Sequence, residues 1–521
     1  MSAPPAEYGY IHGVEHLSDY RPGGYHPIHI DDRLNKRYRI VHKLGHGTFS
    51  TAWLAIDEKT TKYVAIKLGT ADADRTEIDI LSQITQSSKS RSNLQDTPSL
   101  IPVVLDRFEV SGPNGTHPCL VTLPARCSLR DAREASGSSL FQLDVARSLA
   151  AQLVMAVSLV HAKGYAHGDL HLGNLLLQLP SPLNSLSIEQ LYAQYGEPER
   201  EPVVCLNAEA TSTDSRVPSY AVPSVWLGVP SNDISLGEAK LILGDFGVAF
   251  RPGDKSRFES YTPVVLRPPE AFFEPATPLS FASDIWSLGC VIFELLAHRS
   301  LIDGFLAPQD EITAQQVELQ GPMPSEWWGR WEKRPNWYDE AGRPLSNACD
   351  VWSWERRFEQ WVQKPRHSRD METIREDERD ALFELLRWML AWRPSERPDI
   401  MKIGQKAFNN AKHTTCQPNT VTGGQTSTDH NTDFTEPQSS QPSRNDSINQ
   451  TIYDMEIDTQ TEVAQQLEQR ETPQLPDNLQ PTASGRRSSR NQNMPRKNYS
   501  IANAYGANAY GDLENEGETS D

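Results

Sequence analysis

Two carboxylates and a carboxamide stand beside short apolar runs. Asp169 and Asn174 lie in His167-Gly-Asp-Leu-His-Leu-Gly-Asn174, just before the run 175–177, and Asp245 lies in Gly244-Asp-Phe-Gly247, just after the run 241–243. Hard oxygen donors of this kind suit Mg2+ that is also carrying substrate phosphates. Upstream, Leu44-Gly-His-Gly-Thr-Phe-Ser-Thr-Ala-Trp53 contains glycines that let the backbone approach a phosphate and bond it through N–H donors. Lys67 closes the apolar segment Ala65-Ile-Lys67, and a lysine behind a glycine loop can hold nucleotide phosphates. Each fragment alone reads as a turn or an exposed strand end. Their occurrence in this order on one chain points to phosphate chemistry.

The elements that must position these groups are legible from periodicity. Residues 38–44, 50–56, 63–68 and 119–122 alternate or carry branched side chains, which predicts strands of a small antiparallel sheet, broken by one helix over 74–83. Further on, Val145, Leu149, Leu153, Ala156, Val157 and Val160 recur at three- and four-residue steps, as do the apolar positions of 285–296 and 381–391. That period predicts a mainly helical second half. Residues 180–237 are rich in Pro, Ser and Glu and read as a surface insertion. From about residue 409 onward Thr, Gln, Asn, Ser and Pro dominate, a composition that cannot offset its ordering entropy by apolar burial and predicts a disordered polar tail over 409–521.

The chain has 521 residues and a formal charge of -19, which gives no support to a general attraction to nucleic acid or anionic lipid and suits a basic partner. The longest apolar run, 285–293, contains Ser287 and Gly289 and falls short of the roughly 20 residues of a membrane helix. The start, Met-Ser-Ala-Pro-Pro-Ala-Glu, has neither the basic opening nor the apolar core of a secretory signal. Six cysteines without a C-x-x-C argue against a zinc site or a disulfide framework, and so for a reducing compartment, cytoplasm or nucleus.

Taken in order, the motifs resemble those of eukaryotic serine/threonine protein kinases, and the chain is most similar to the SR-protein kinases and their fungal relatives. The resemblance spans about 19–408. Asp19-Tyr-Arg-Pro-Gly-Gly-Tyr-His-Pro27 resembles the lead-in of that family, and Gly321-Pro-Met-Pro-Ser-Glu-Trp-Trp328 resembles an insert of the larger kinase group that contains it. Arg267-Pro-Pro-Glu270 stands where kinases end the activation segment, Asp284-Ile-Trp-Ser-Leu-Gly289 opens the following helix, and Arg397 is placed to pair with Glu270. The resemblance implies an α+β, bilobal protein-kinase fold, with a small antiparallel β-sheet lobe at 38–126 and a larger mainly helical lobe at 127–408. An N-terminal extension at 1–37 would precede them, and the insertion at about 180–240 would interrupt the second.

By the same resemblance, Lys67 would bind ATP phosphates and pair with Glu77, Asp169 would deprotonate the substrate hydroxyl, and Asn174 and Asp245 would hold Mg2+. Leu44, Gly45, His46, Gly47, Thr48, Phe49, Ser50 and Ala52 would form the nucleotide site with Ala65, Lys67, Thr122 and a hinge at 123–125. The implied partner is a protein substrate, basic and Arg/Ser-rich in the SR-protein kinases, acted on by a monomer. Three departures from the family stand out. Gly168 replaces the usual catalytic-loop arginine, removing a cation that would receive a phosphate on the activation segment. His171 replaces a lysine, and either an imidazolium touches the γ-phosphate or a neutral ring hydrogen-bonds the loop. The interval from Lys67 to Glu77 is short. Residues 126–131 read as a charged, polar start to the helical lobe and not as catalytic machinery. Two alternatives stay open: a pseudokinase acting as a nucleotide-binding scaffold, and a small-molecule phosphotransferase, whose loop His-Gly-Asp-Leu-His-x-x-Asn resembles but whose architecture lacks the Arg267 to Arg397 features.

Overall fold

A computed structural model of the chain describes residues 7–86, 99–180, 183–206, 215–253, 257–345 and 351–406. The expected tail and Ser256 lie outside these residues. In the first lobe, β1 (Arg33–Leu34), β2 (Tyr38–Gly47), β3 (Ser50–Asp57), β4 (Lys62–Gly69), β5 (Asp106–Gly112) and β6 (Gly115–Thr122) form one six-stranded sheet in the order β1-β2-β3-β4-β6-β5. Every pairing is antiparallel. Helix α1 (Thr76–Gln86) follows β4, opening where the Asp74 carboxylate accepts the Thr76 N–H at 3.0 Å. β5 was not among the expected strands. It is the sheet edge, and its alternation is carried by only two apolar residues, Phe108 and Val110, which are half-buried against the core.

The second lobe is built on α3 (Leu143–Ala162), which follows β7 (Ala125–Ser128) and α2 (Leu129–Glu134). By length and composition α3 is apolar enough to cross a membrane, but its periodic face at Val145, Leu149, Leu153, Val157 and Val160 is packed in the lobe's core. A three-stranded sheet in the order β11-β8-β7 lies beside it, β8 being Leu175–Gln178 and β11 Leu241–Leu243. Between β8 and β11 run α4 (Ile188–Tyr195), β9 (Glu201–Pro202) and β10 (Tyr220–Ala221). Beyond β11 come α5 (Glu270–Phe273), α6 (Phe281–Leu296), α7 (Gln309–Gln320) and α8 (Ser325–Arg330). The series ends with α9 (Trp354–Phe358), α10 (Lys364–His367) and α11 (Glu376–Met389). The bilobal α+β architecture expected from the sequence is present.

The insertion packs on the first lobe. Leu183, Leu191 and Leu227 from it are buried against Val41, Leu54 and Tyr63 of the first lobe's sheet. At roughly 1.5–3 kcal/mol for each fully buried leucine, this contact is a substantial part of the packing. Hydrogen bonds fix it: Tyr63 N–H donates to Asn184 Oδ1 at 2.7 Å, Tyr192 Oη to the Val41 carbonyl at 2.9 Å, and Val225 N–H to the Lys43 carbonyl at 2.8 Å. Ser187 and Gln190 cap the start of α4 reciprocally. Elsewhere on the sheet, Ile40, Trp53, Val64 and Ile66 are covered by Ile28 and Ile30 of the N-terminal extension and by Val222 of the insertion. Farther forward the extension buries Glu15, which accepts hydrogen bonds from Lys43 and from Tyr20.

Candidate active site

The strands place the first group of residues by register. Ala52 faces Lys67 across β3 and β4, and Ala65 faces Thr122 across β4 and β6. Leu44, Gly45, His46 and Gly47 end β2, Ser50 opens β3, and Thr48 and Phe49 form the two-residue turn between them. Phe49 is exposed at the tip, while Ala52 is buried. Tyr25 of the extension donates its hydroxyl to the Gly47 carbonyl at 2.6 Å, which ties down the base of this loop. Nothing in the local pattern of either segment announces that contact.

The short interval after Lys67 suffices. Glu77 is the second residue of α1, and its Oε2 lies 2.8 Å from Lys67 Nζ. The same ammonium donates to Asp245 Oδ1 at 3.0 Å. Burial pushes the Asp245 carboxyl up, but Lys67 and the Gly247 N–H outweigh it and hold the group below the usual carboxylate range. For Glu77 burial wins over Lys67, with Asp245's charge adding to it, and the carboxyl sits above its usual value. Asp245 has φ 58°, a left-handed conformation rare for a non-glycine residue and of a kind that clusters at functional sites.

The pairing of Leu175 with Leu243 brings Asn174 and Asp245 to one end of adjacent strands, and Gly244 N–H donates to the Asn174 carbonyl at 2.8 Å. Asn174 Nδ2 donates to the Asp169 carbonyl at 2.9 Å and approaches Asp169 Oδ2 at 3.3 Å. Asp169 Oδ1 and Asn174 Oδ1 are both buried without a hydrogen-bond partner among the described residues. Since buried polar atoms are nearly always paired, two orphaned oxygens beside the Asp245 carboxylate are what a site for a hard cation and a substrate hydroxyl leaves open. The donor set fits Mg2+.

Asp284, buried at the start of α6, holds the catalytic loop from beneath. Its Oδ2 accepts the His167 N–H at 2.7 Å and faces His161 Nε2 at 2.9 Å, and its Oδ1 accepts the Gly168 N–H at 2.9 Å. Burial raises this carboxyl, yet the histidines and the Gly168 N–H together keep it below the usual range. Gly168 has φ 79°, and a Cβ there would lie 3.2 Å from the Val248 carbonyl oxygen. Thr262, buried in the activation segment, donates its hydroxyl to the Gly168 carbonyl at 3.1 Å. Arg267 in turn donates twice to the Thr262 carbonyl, at 2.9 and 3.1 Å. Arg397 pairs with Glu270 through both guanidinium nitrogens, at 2.6 and 2.7 Å.

His171 is held on both sides of its ring. Its Nδ1 accepts the Gly173 N–H at 3.0 Å, and its Nε2 faces Asp169 Oδ2 at 3.4 Å. The ring thus hydrogen-bonds the loop, as one of the two sequence readings has it. The second donor at Nδ1 is Arg130 Nη2, at 3.2 Å. Arg130 belongs to the stretch read as a polar helix start. Ser128 and Asp131 do cap α2 in that way, but the arginine between them turns to the catalytic loop. Nothing in its local sequence marks it, because the contact joins residues far apart in the chain.

A model of the protein kinase domain matches residues 38–184 and 230–409. The chain belongs to the protein kinase family. This kinase is 24% identical to a serine/threonine protein kinase of Aspergillus fumigatus over 75% of its own length and 88% of that protein's. It is 26% identical to protein kinase dsk1 of Schizosaccharomyces pombe over 58% of itself and 70% of the relative. With human SRSF protein kinase 3 it shares 32% identity over 31% of itself and 29% of that protein. It is a serine/threonine protein kinase of the SR-protein-kinase type.

Proposed function

We propose that the kinase transfers the γ-phosphate of ATP, with Mg2+, to serine or threonine hydroxyls of protein substrates that are basic and rich in Arg and Ser. The observation that carries this reading is the joined set Glu77–Lys67–Asp245 beside the unpartnered oxygens of Asp169 and Asn174. Mg2+ bound to ATP would neutralise the charge that develops on the transferring group. Asp245 and Asn174 would hold the metal, and Lys67, oriented by Glu77, would hold the α- and β-phosphates. Asp169 Oδ1 would accept the proton of the attacking hydroxyl while the bond from the γ-phosphorus to the β–γ bridging oxygen breaks and ADP departs. Ala52, Ala65, Thr122 and Leu44 would enclose the adenine.

The substrate class is supported by the names of the SRPK and SRSF protein kinase relatives and by the net charge of -19, which suits a cationic chain. We assign the protein to the cytoplasm or nucleus, acting as a monomer. The test is phosphotransfer from labelled ATP by purified protein to an Arg-Ser peptide and to myelin basic protein, with Asp169→Ala as control. Incorporation that needs Asp169 and favours the Arg-Ser peptide is expected. Nucleotide binding without incorporation would instead favour the scaffold reading.

A further inference from the structure

We propose that Arg130 is a positioning residue for phosphoryl transfer, supplying through His171 the positive charge that the catalytic loop itself lacks. The inference rests on the kinase reading. Residues 167–174 contain neither lysine nor arginine, and position 171, two residues beyond Asp169, carries an imidazole whose Nδ1 accepts the Gly173 N–H, so the loop brings no permanent cation of its own to the transferring group. Arg130 enters from α2, and its guanidinium hydrogen-bonds the ring's one lone pair. The ring's opposite nitrogen, Nε2, faces Oδ2 of the Asp169 carboxylate, the oxygen beside the one that would take the substrate proton. A fixed charge on one side of the imidazole thus polarises the N–H on the other, and orients the carboxylate that must receive the substrate proton.

Two observations show that the arrangement is built and not incidental. Arg130 is only half-buried, and it forms no ion pair with a carboxylate among the described residues, although Asp131 and Glu134 share its helix. Its charge still acts on both carboxylates, but its guanidinium hydrogen-bonds the imidazole and not either of them. The room for it comes from Gly173. A Cβ at that position would lie 3.1 Å from Arg130 Cζ and 2.9 Å from His171 Nδ1, so any side chain there would displace one partner. The φ of Gly173 is not in the left-handed region, which leaves close approach as the reason for the glycine. His171, Gly173 and Arg130 therefore form one unit, and the three residue types are needed together.

The test is a double-mutant cycle on the full chain, with kcat and KM for ATP measured for wild type, Arg130→Met, His171→Lys and the double variant. Arg130→Met should lower kcat by about tenfold or more while KM for ATP moves by less than about threefold, the pattern of a group that acts in the transition state. In the His171→Lys background the loop carries its own charge, and the same change should cost less than about twofold. Arg130→Lys should recover part of the loss. An equal fold-loss from Arg130→Met in both backgrounds, or no loss in either, overturns the proposal and leaves Arg130 a packing residue of α2. Gly173→Ala guards against misfolding of the arginine variant: it should reproduce the kcat loss, and adding Arg130→Met to it should cost little more. A second readout needs no turnover. The side-chain 15N resonance of His171 Nδ1 should move on Arg130→Met, and an unchanged resonance also overturns the proposal. If wild type transfers no phosphate at all, the kinase reading fails, while the resonance still decides whether Arg130 holds the ring.

Discussion

Replacing Gly168 by alanine should damage both stability and turnover, and the size of each effect can be worked from the backbone. Gly168 sits at φ 79°, where a non-glycine residue costs about 1–2 kcal/mol. The new Cβ would meet the Val248 carbonyl oxygen at 3.2 Å and Phe250 Cε1 at 3.3 Å, tighter than ordinary contact and against backbone that cannot swing away. The upper end of the range, about 2 kcal/mol, is therefore expected. With a urea m-value of about 3 kcal/mol per M, the unfolding midpoint should fall by roughly 0.7 M. Relief of the strain must move the N–H that Asp284 holds and the adjoining Asp169, and displacement of a base by a fraction of an ångström should reduce kcat by about tenfold. The control is Gly137→Ala: that glycine is exposed, has no neighbour within 4 Å of a built Cβ and is not at positive φ, so its midpoint should hold or rise slightly. Equal midpoints and equal kcat for Gly168→Ala and wild type would refute the reasoning.

Lys67→Met and Asp245→Asn should each lower phosphotransfer by at least about 100-fold with little change in the unfolding midpoint, since each removes charge aimed at the nucleotide and metal; near wild-type turnover in either would disprove the site. Alanine at Ser260 or Tyr261 should leave turnover nearly unchanged, because Gly168 presents no cation to a phosphate there, whereas Thr262→Ala loses a buried hydrogen bond to the Gly168 carbonyl and should reduce kcat. Steady-state assays of phosphate-free protein from bacteria check this, and inactivity until treatment with an upstream kinase contradicts it. Glu77, pushed above its ordinary 4.5, should take up a proton as pH falls while Asp245, held below 3.8, is still charged. Loss of the Lys67 pair then begins above the usual glutamate range, so the acid limb of the rate profile should move to lower pH in Glu77→Gln; an unmoved limb would separate Glu77 from that loss.

The residues closest to the proposed chemistry were also the most legible. Lys67, Asp169, Asn174 and Asp245 announce themselves because each is a charged or amide group beside a short apolar strand, and strands fix side-chain direction locally. Arg130 was hidden for the opposite reason: its role depends on α2 and the catalytic loop meeting in space. The strand 106–112 was missed because its inward face holds only Phe108 and Val110, too short an alternation to stand out between charged residues and a glycine. For the insertion, composition showed the interruption but not how it packs, although Ser187 and Gln190 spell a reciprocal helix cap ahead of the buried Leu191. Glycines were ambiguous throughout. Gly168 looked like a lost arginine, when the backbone at that point occupies the region where only glycine is free of strain.

The insertion leaves the large lobe at β8, bonds to β2 and β4 of the small lobe, and returns at β11. Besides the chain at residues 123–124 and the packing around α1, this strap ties the two lobes together. A single joint lets two bodies rotate; a second joint off the axis removes that freedom unless its contacts break. Wide opening of the cleft would expose Leu191 and sever the Tyr63, Tyr192 and Val225 hydrogen bonds at once. Under the proposed ATP chemistry, product release and not transfer is then the expected slow step, and a turnover rate that falls with rising solvent viscosity would check it.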